Sequence, residues 1–359
     1  MHVSRRLTSS FVLLMVMAFM AACGPSPSPT PTVTVPPLID VTLPSSGAVE
    51  QLVTEIPLTG PVTTSQAEIS GMSWYGDYLI LLPQFPGRVA TEGDGSVFAL
   101  HKDDIIAYLD EPTEGVVIQP LEIPFQAPGL QEEVPGFDGF EAIAFTQGRV
   151  YLLIESRNLL ETQSYLVAGE VAADLSEIRV DPSKLVEIPS QSGVSNLSDE
   201  TLVVTGELLV TIHEAYGTGV NPEPVAHLFD QELEPLGTLS FPNIEYRITD
   251  ATRINTRGRF WAINYFYPGD TELVPETDPL AERFGEGSTH ARFEVVERLV
   301  EFKSVPAGFE LTDTPPIQLE LLGDDQARNW EGIVVLEDRG FLLVTDEHPR
   351  TILAFVPRP

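Results

Sequence analysis

A chain of 359 residues, 43% of them apolar, can bury a sizeable core, and its length suits two average domains or a single all-β barrel or propeller. Its 53 acidic against 20 basic residues, a formal charge of −33, make a surface that repels nucleic acid and anionic lipid headgroups and attracts cations. A single cysteine excludes any disulfide within a monomer, the expected state, so the core must carry the stability.

Residues 1–22 carry Arg5 and Arg6, then the apolar run F-V-L-L-M-V-M-A-F-M, then Ala21 and Ala22, the order of a secretory signal peptide. The run is shorter than the roughly 20 residues a membrane span needs. It stops before Cys23, and M-A-A-C resembles the bacterial lipobox, which implies a lipid-modified Cys23 that tethers an extracytoplasmic protein to the membrane. Without the two leader arginines, 18 basic residues face 53 acids, and only Lys102, Lys184 and Lys303 are lysines. Residues 24–37 hold six prolines in 14 positions, which predicts an extended spacer. At about 3.1 Å per residue it would reach on the order of 40 Å. The expected organisation is a signal peptide at 1–22, a lipid-anchored proline-rich linker at 23–47 and one folded domain at 48–359.

From residue 48 the chain turns to strand-like runs with frequent Gly and Pro. Only residues 103–109 read as a brief helix. One hairpin pattern, two apolar runs around a turn glycine, recurs at Gly76, Gly148, Gly206, Gly258 and Gly340, with spacings of 72, 58, 52 and 82 residues. About two further strands follow each hairpin. Five four-stranded units predict an all-β fold, a five-bladed β-propeller. After the last hairpin only 351–357 remains, one strand short of a blade, and residues 49–58 are placed to supply the missing strand from the other end of the chain. The alternatives are a β-sandwich, or a sixth blade within 258–340, although residues 268–292 read better as an inserted loop.

In a propeller the first strand of each hairpin lines the central channel. At or just before those strands stand Glu68 or Ser70, Glu141, Asp199 with Glu200, Asp250, and Glu331. The strand exits are less regular: Leu82 and Pro83, Ile154 and Glu155, Ile212 and His213, Asn264 and Tyr265, Asp346 and Glu347. Carboxylates crowded round one axis are relieved by protonation, by arginine or by a cation. All-oxygen ligands suit Ca²⁺, with Glu141, Asp199, Asp250, Glu331, Asp346 and Glu347 as the expected set, whereas His213 or His348 would shift the preference to a transition metal. The alternative is ion pairing with Arg157, Arg253 and Arg350. Trp74, Trp261 and Trp330 are expected to pack within or between blades. Tyr265, Phe266 and Tyr267 could form an aromatic platform for a ligand.

The segments E-A-I-A-F (141–145), G-R-V-Y-L-L-I-E-S (148–156), V-E-R-L-V-E-F (296–302), N-W-E-G-I-V-V-L (329–336) and G-F-L-L-V-T-D-E (340–347) resemble the phytase-like family of extracytoplasmic proteins, described as having esterase-like activity. The strand order also resembles NHL-type propellers. The resemblance implies a propeller and a hydrolase of phosphate or carboxylate esters, with Asn329, Glu331 and Asp346 at the family's best-marked positions. The expected site of a metal-assisted hydrolase has Glu331, Asp346 and Glu141 as catalytic residues and Asn329, Arg253, His348 and Tyr265 about the ligand. The chain lacks the contiguous acidic stretches and the lysines of calcium-dependent propeller phytases, so phytate would bind only through bridging calcium. It also has no nucleophile elbow, P-loop, H-E-x-x-H or EF-hand motif. That scarcity of basic and nucleophilic groups leaves a second reading, a non-catalytic surface protein that binds a small molecule or a protein.

Overall fold

Runs such as Leu79–Leu82 and Phe341–Val344 are apolar at every position, the pattern of strands covered on both faces. The computed structural model describes residues 48–91, 93, 95–157, 162–191, 194 and 197–359. The expected signal peptide, Cys23 and the proline-rich linker lie outside the described residues. Among the described residues no helix is long and apolar enough to cross a membrane.

The strands form a five-bladed propeller. Blade 1 is Ile69–Tyr75, Tyr78–Pro83, Ser96–His101 and Leu121–Gln126, antiparallel throughout. Blade 2 is Phe137–Thr146, Arg149–Arg157, Thr162–Val171 and Ile178–Ile188. Blade 3 is Asp199–Thr205, Leu208–His213, Val225–Asp230 and Pro235–Ser240. Blade 4 starts with a minimal inner strand, bridged at Ala251 to Ala262, and continues through Arg259–Phe266 and Val296–Val305 to Gly308–Leu311 and Ile317–Leu319. Blade 5 is Trp330–Leu336, Gly340–Thr345 and Leu353–Pro357, and its outer strand is Thr54–Ile56 from the start of the domain. The predicted closure by an N-terminal strand is therefore what the fold uses. The same stretch also pairs Glu50–Gln51 in parallel with Ile317–Leu319 of blade 4 and bridges Leu58 to Ile118 after blade 1. One short segment thus ties three blades together.

Each interface between blades has its own apolar cluster. Val97 meets Ile143 between blades 1 and 2, Leu153 meets Leu209 between 2 and 3, and Ile212 meets Phe260 between 3 and 4. Trp261 and Leu299 meet Trp330 and Phe341 between 4 and 5, and Leu79 meets Leu342 between 5 and 1. At about 1.5–3 kcal/mol per buried large apolar side chain, these clusters hold a ring that has no disulfide. The tryptophans pack as expected: Trp330 is fully buried with Nε1 donating to Glu297 at 2.8 Å, and Trp74 Nε1 donates across the ring seam to the Val335 carbonyl at 2.9 Å.

The turn glycines Gly76, Gly148, Gly206 and Gly258 take positive φ, as the hairpin pattern predicts. Gly340 does not. The left-handed residue of that turn is Glu337 (φ 52°), and Gly340 opens the second strand, where a Cβ would lie 2.1 Å from the Val356 carbonyl oxygen. Close pairing with the third strand, not turn geometry, requires that glycine. The predicted helix spans Lys102–Asp110. Residues 268–292 contain only the turn Thr271–Leu273 and the helix Pro279–Phe284, so the interval holds an insert and not a sixth blade.

Candidate active site

At the start of the inner strand, four of the five blades skip one residue in their pairing. Ser70 lies unpaired between Ile69↔Pro83 and Gly71↔Leu82, and Glu141 between Phe140↔Ile154 and Ala142↔Leu153. Glu200 lies between Asp199↔His213 and Thr201↔Ile212, and Glu331 between Trp330↔Thr345 and Gly332↔Val344. A bulge bends its strand and re-aims the extra side chain. Glu141, Glu200 and Glu331 are re-aimed into one electrostatic neighbourhood, in which Glu331 raises the affinity of Glu141 and Glu200 for protons and Glu214 raises that of all three.

The strand exits at the same end add more acids. Glu155 stands opposite Gly139, Glu214 follows His213, and Asp346 follows Thr345. Burial, with repulsion from Glu155, Glu331 and Glu214, holds half-buried Glu141 well above the usual carboxylate range, while a 3.0 Å hydrogen bond from Gln84 Nε2 opposes this. Burial likewise raises Glu331 and Glu200, and pushes Glu214 up to about 7. The central counter-charge is Arg247, on the strand Ile244–Arg247, which pairs with Glu214 and lies 3.6 Å from Glu200 and 3.9 Å from Asp270. Glu155 has its own partners, Arg157 at 2.8 Å and the Ser198 hydroxyl at 3.1 Å.

Asn329 joins two of the acids. Its Nδ2 donates to Glu331 Oε1 at 2.6 Å and to Asp346 Oδ2 at 2.8 Å, so those oxygens lie at most about 5.4 Å apart. Asp346 also accepts the His348 amide at 2.6 Å. Arg247 and Asn329 line a cavity of about 390 Å³ with Tyr265, Tyr267, Asp270 and His348. Within it Asn329 Oδ1 and Asp270 Oδ2 have no hydrogen-bond partner among the described residues.

Of the residues singled out from sequence, Glu141, Glu331, Asp346, Asn329, Tyr265 and His348 come to this mouth. Asp199 does not: it is buried within blade 3, 3.8 Å from His227, and burial pushes it up to about 7. Asp250 turns away to accept the Ile333 amide of blade 5 at 2.8 Å. Arg253 binds the Phe145 carbonyl, near the hairpin-turn end of blade 2's inner strand. Glu347 lies 3.6 Å from His348 and raises the proton affinity of Glu68 and Asp346. Among the described residues no three His, Cys, Asp or Glu side chains are grouped closely enough to hold an ion, so the expected six-residue metal set is not assembled. The expected arginine pairing is local: Arg157 serves Glu155 and Asp138, and Arg350 serves Glu55.

Sequence reasoning missed Glu214 and Arg247. Glu214 lies eight residues after Gly206, one beyond the exit positions inspected, and Arg247 sits on a strand outside the five hairpins.

No protein-family model matches the chain, and no curated protein matches it. Solved structures with a similar course of chain are carbohydrate-cleaving enzymes. A glycosyl hydrolase from Bacteroides ovatus is 11% identical, with 87% of this chain and 94% of that one covered and a TM-score of 0.41. An exo-1,5-alpha-L-arabinanase from a bovine ruminal metagenomic library is 10% identical, covering 80% and 93%, with a TM-score of 0.43. The alpha-L-arabinanase of Cellvibrio cellulosa, complexed with arabinohexaose, is 10% identical, covering 81% and 92%, with a TM-score of 0.43. The expected phytase-like identity is thereby corrected, and the phosphoester and ester chemistry it implied falls with it. The site agrees physically, because a phosphate dianion would face buried glutamates whose central arginine is already paired with Glu214. What the chain shares with these structures is the β-propeller.

Proposed function

We propose that the channel mouth hydrolyses glycosidic bonds, with Glu141 as general acid and Asp346 as general base. The observation that carries this reading is a carboxyl held neutral beside a carboxylate pair steadied by one asparagine, next to a cavity with two tyrosines. Glycoside hydrolysis asks for that division: one acid that keeps its proton and one carboxylate that has lost it. Burial and repulsion keep the proton on Glu141. Asp346 and Glu331 cannot both ionise cheaply so close together. Burial raises both, Glu331 the further; the His348 amide and Asn329 both donate to Asp346, which opposes the rise and favours its charged form over that of Glu331.

In the reaction the bond between the anomeric carbon and the leaving oxygen breaks, and its electron pair goes to that oxygen, which takes the proton of Glu141. Asp346 removes a proton from water as the water oxygen bonds to the anomeric carbon. The excess proton then returns from Asp346 to Glu141 through solvent. In the adjoining cavity the exposed Tyr267 offers an aromatic face to a sugar ring, and Asn329, Asp270 and His348 supply polar groups to the lining.

The test is a panel of 4-nitrophenyl and methyl glycosides of pentoses and hexoses. Removing a general acid or base costs about 10²–10⁴-fold. Glu141→Gln should slow the methyl glycosides far more than the 4-nitrophenyl ones, since a poor leaving group needs the proton, whereas Asp346→Asn should slow both alike. No turnover of any glycoside, or equal effects of Glu141→Gln on the two series, would end this reading.

A further inference from the structure

A second cavity, of about 560 Å³, lies at the junction of blades 1 and 2, with Phe140, the chain neighbour of Glu141, in its lining. Its wall is aromatic: Phe85 and Phe137 meet edge to face at 6.3 Å, and Phe140 meets both Phe137 and Phe125 at 5.3 Å. Leu130 closes the floor, and the guanidinium of Arg88 lies 3.6 Å above the centre of the Phe85 ring while pairing with Glu68. Phe85 follows the exit of blade 1's second strand and Phe137 begins blade 2's first, so the cavity is at the carboxylate end.

The cavity and the acid are linked through adjoining residues. Gln84, next to Phe85, donates to Glu141, next to Phe140, and the Phe140 amide donates to the Gln84 carbonyl at 2.9 Å. Gly139 makes this join, since a Cβ there would lie 2.3 Å from Gln84 Cγ. The polar cavity of Tyr265 and Tyr267 is held to the opposite pair, Glu331 and Asp346, through Asn329.

We infer that the Phe85–Phe137 cavity receives the leaving group of the glycoside, and that this group is aromatic. The inference rests on the glycosidase reading. It is argued from position, because the general acid must adjoin the leaving oxygen, and from chemistry. Four phenylalanine rings give an aryl ring edge-to-face contacts that a second sugar would make less well, the Arg88 guanidinium can face an electron-rich phenol, and Gln131 and Glu132 in the same lining can take a phenol hydroxyl. The volume lies within the roughly 300–1,000 Å³ range of small-molecule sites.

The experiment titrates the full-length protein calorimetrically with 2-naphthol as the probe, beside steady-state kinetics on naphthyl and methyl glycosides of one sugar. Wild type should bind 2-naphthol, and the probe should compete with the naphthyl glycoside. Phe85→Ala, a change at a half-buried ring, should weaken binding and raise KM for the naphthyl glycoside by about tenfold, the equivalent of about 1.4 kcal/mol, and leave the methyl glycoside unchanged. Phe137→Leu, which keeps the apolar volume, should show a smaller loss of the same sign. Absence of naphthol binding to folded wild type overturns the leaving-group site and leaves the glycosidase reading standing. Naphthol binding without turnover of any glycoside overturns both, and equal KM changes for the two glycosides overturn the aromatic preference.

Discussion

Blades 4 and 5 start their inner strands with acids in nearly the same local setting, D-A-T-R at 250–253 and E-G-I-V at 331–334, yet the two acids part company. In blade 5 one residue goes unpaired, and Glu331 enters the mouth beside Asn329 and Asp346. In blade 4 the register holds from Asp250 through Thr252, and Asp250 is spent on the Ile333 amide of its neighbour. Side chains alternate along a strand, so a single unpaired residue decides which side an acid faces. The place that blade 4 leaves open is taken by Arg247, from a strand that pairs with Ala215 of blade 3's extension. Four bulges and one arginine thus make a site of mixed charge.

The sharpest way to break the comparison is to truncate both acids. Glu331→Ala should lower kcat/KM for a 4-nitrophenyl glycoside by about 10³-fold, since the Asn329 amide that holds Asp346 loses its second anchor. Asp250→Ala should leave kcat/KM within about twofold while costing about 1–3 kcal/mol of stability, because the Ile333 amide is left buried without an acceptor. Steady-state kinetics and urea melts read both effects. Comparable kinetic losses in the two variants would show that Asp250 belongs to the site after all.

A second contrast is in pH. Burial pushes Asp250 from 3.8 up to about 8, so the folded state keeps a proton that the unfolded chain gives up. The associated stability is fully present below the unfolded value and is lost as pH rises across that window. Asp199, pushed up to about 7, acts with the same sign over a narrower range. Asn at 250 can still accept the Ile333 amide but cannot ionise. Between pH 5 and pH 8 wild type should therefore lose stability relative to Asp250→Asn, by on the order of a few kcal/mol, in calorimetric melts. Parallel pH slopes would mean that Asp250 is charged in the folded protein.

The ring of hairpins was legible because its signals are local. A turn glycine between two apolar runs marks a hairpin wherever it falls, and the orphan strand at 49–58 had a matching vacancy at 351–357. The bulges were not legible. Strands buried on both faces read as apolar at every position, so a one-residue slip leaves no trace in the hydropathy, and Glu331 and Asp250 look alike. Gly340 shows the same blindness from the other side, since its close approach to Val356 is indistinguishable in sequence from a turn. Sequence also named the three remedies for crowded carboxylates without choosing among them. Burial, which favours protons, and the position of Arg247 make that choice, and both are properties of the closed ring.

The smallest expected effect separates two arginines six residues apart. Arg253 was expected at the ligand, but it binds the Phe145 carbonyl one residue short of the end of blade 2's inner strand, whereas Glu141 stands near that strand's start. A strand rises about 3.3 Å per residue, so the four residues from Glu141 to Phe145 put Arg253 about 13 Å from the mouth. Arg253→Ala removes one hydrogen bond to a carbonyl and should cost about 1 kcal/mol in a urea melt. Its pH–rate profile on a 4-nitrophenyl glycoside should superimpose on that of wild type. Arg247 is the opposite case, because without it Glu214 and Glu200 lose their counter-charge and the profile should move. A displaced profile in Arg253→Ala would mean that the turn end of the channel feels the charges of the mouth, and the site would then have to be drawn along the whole axis.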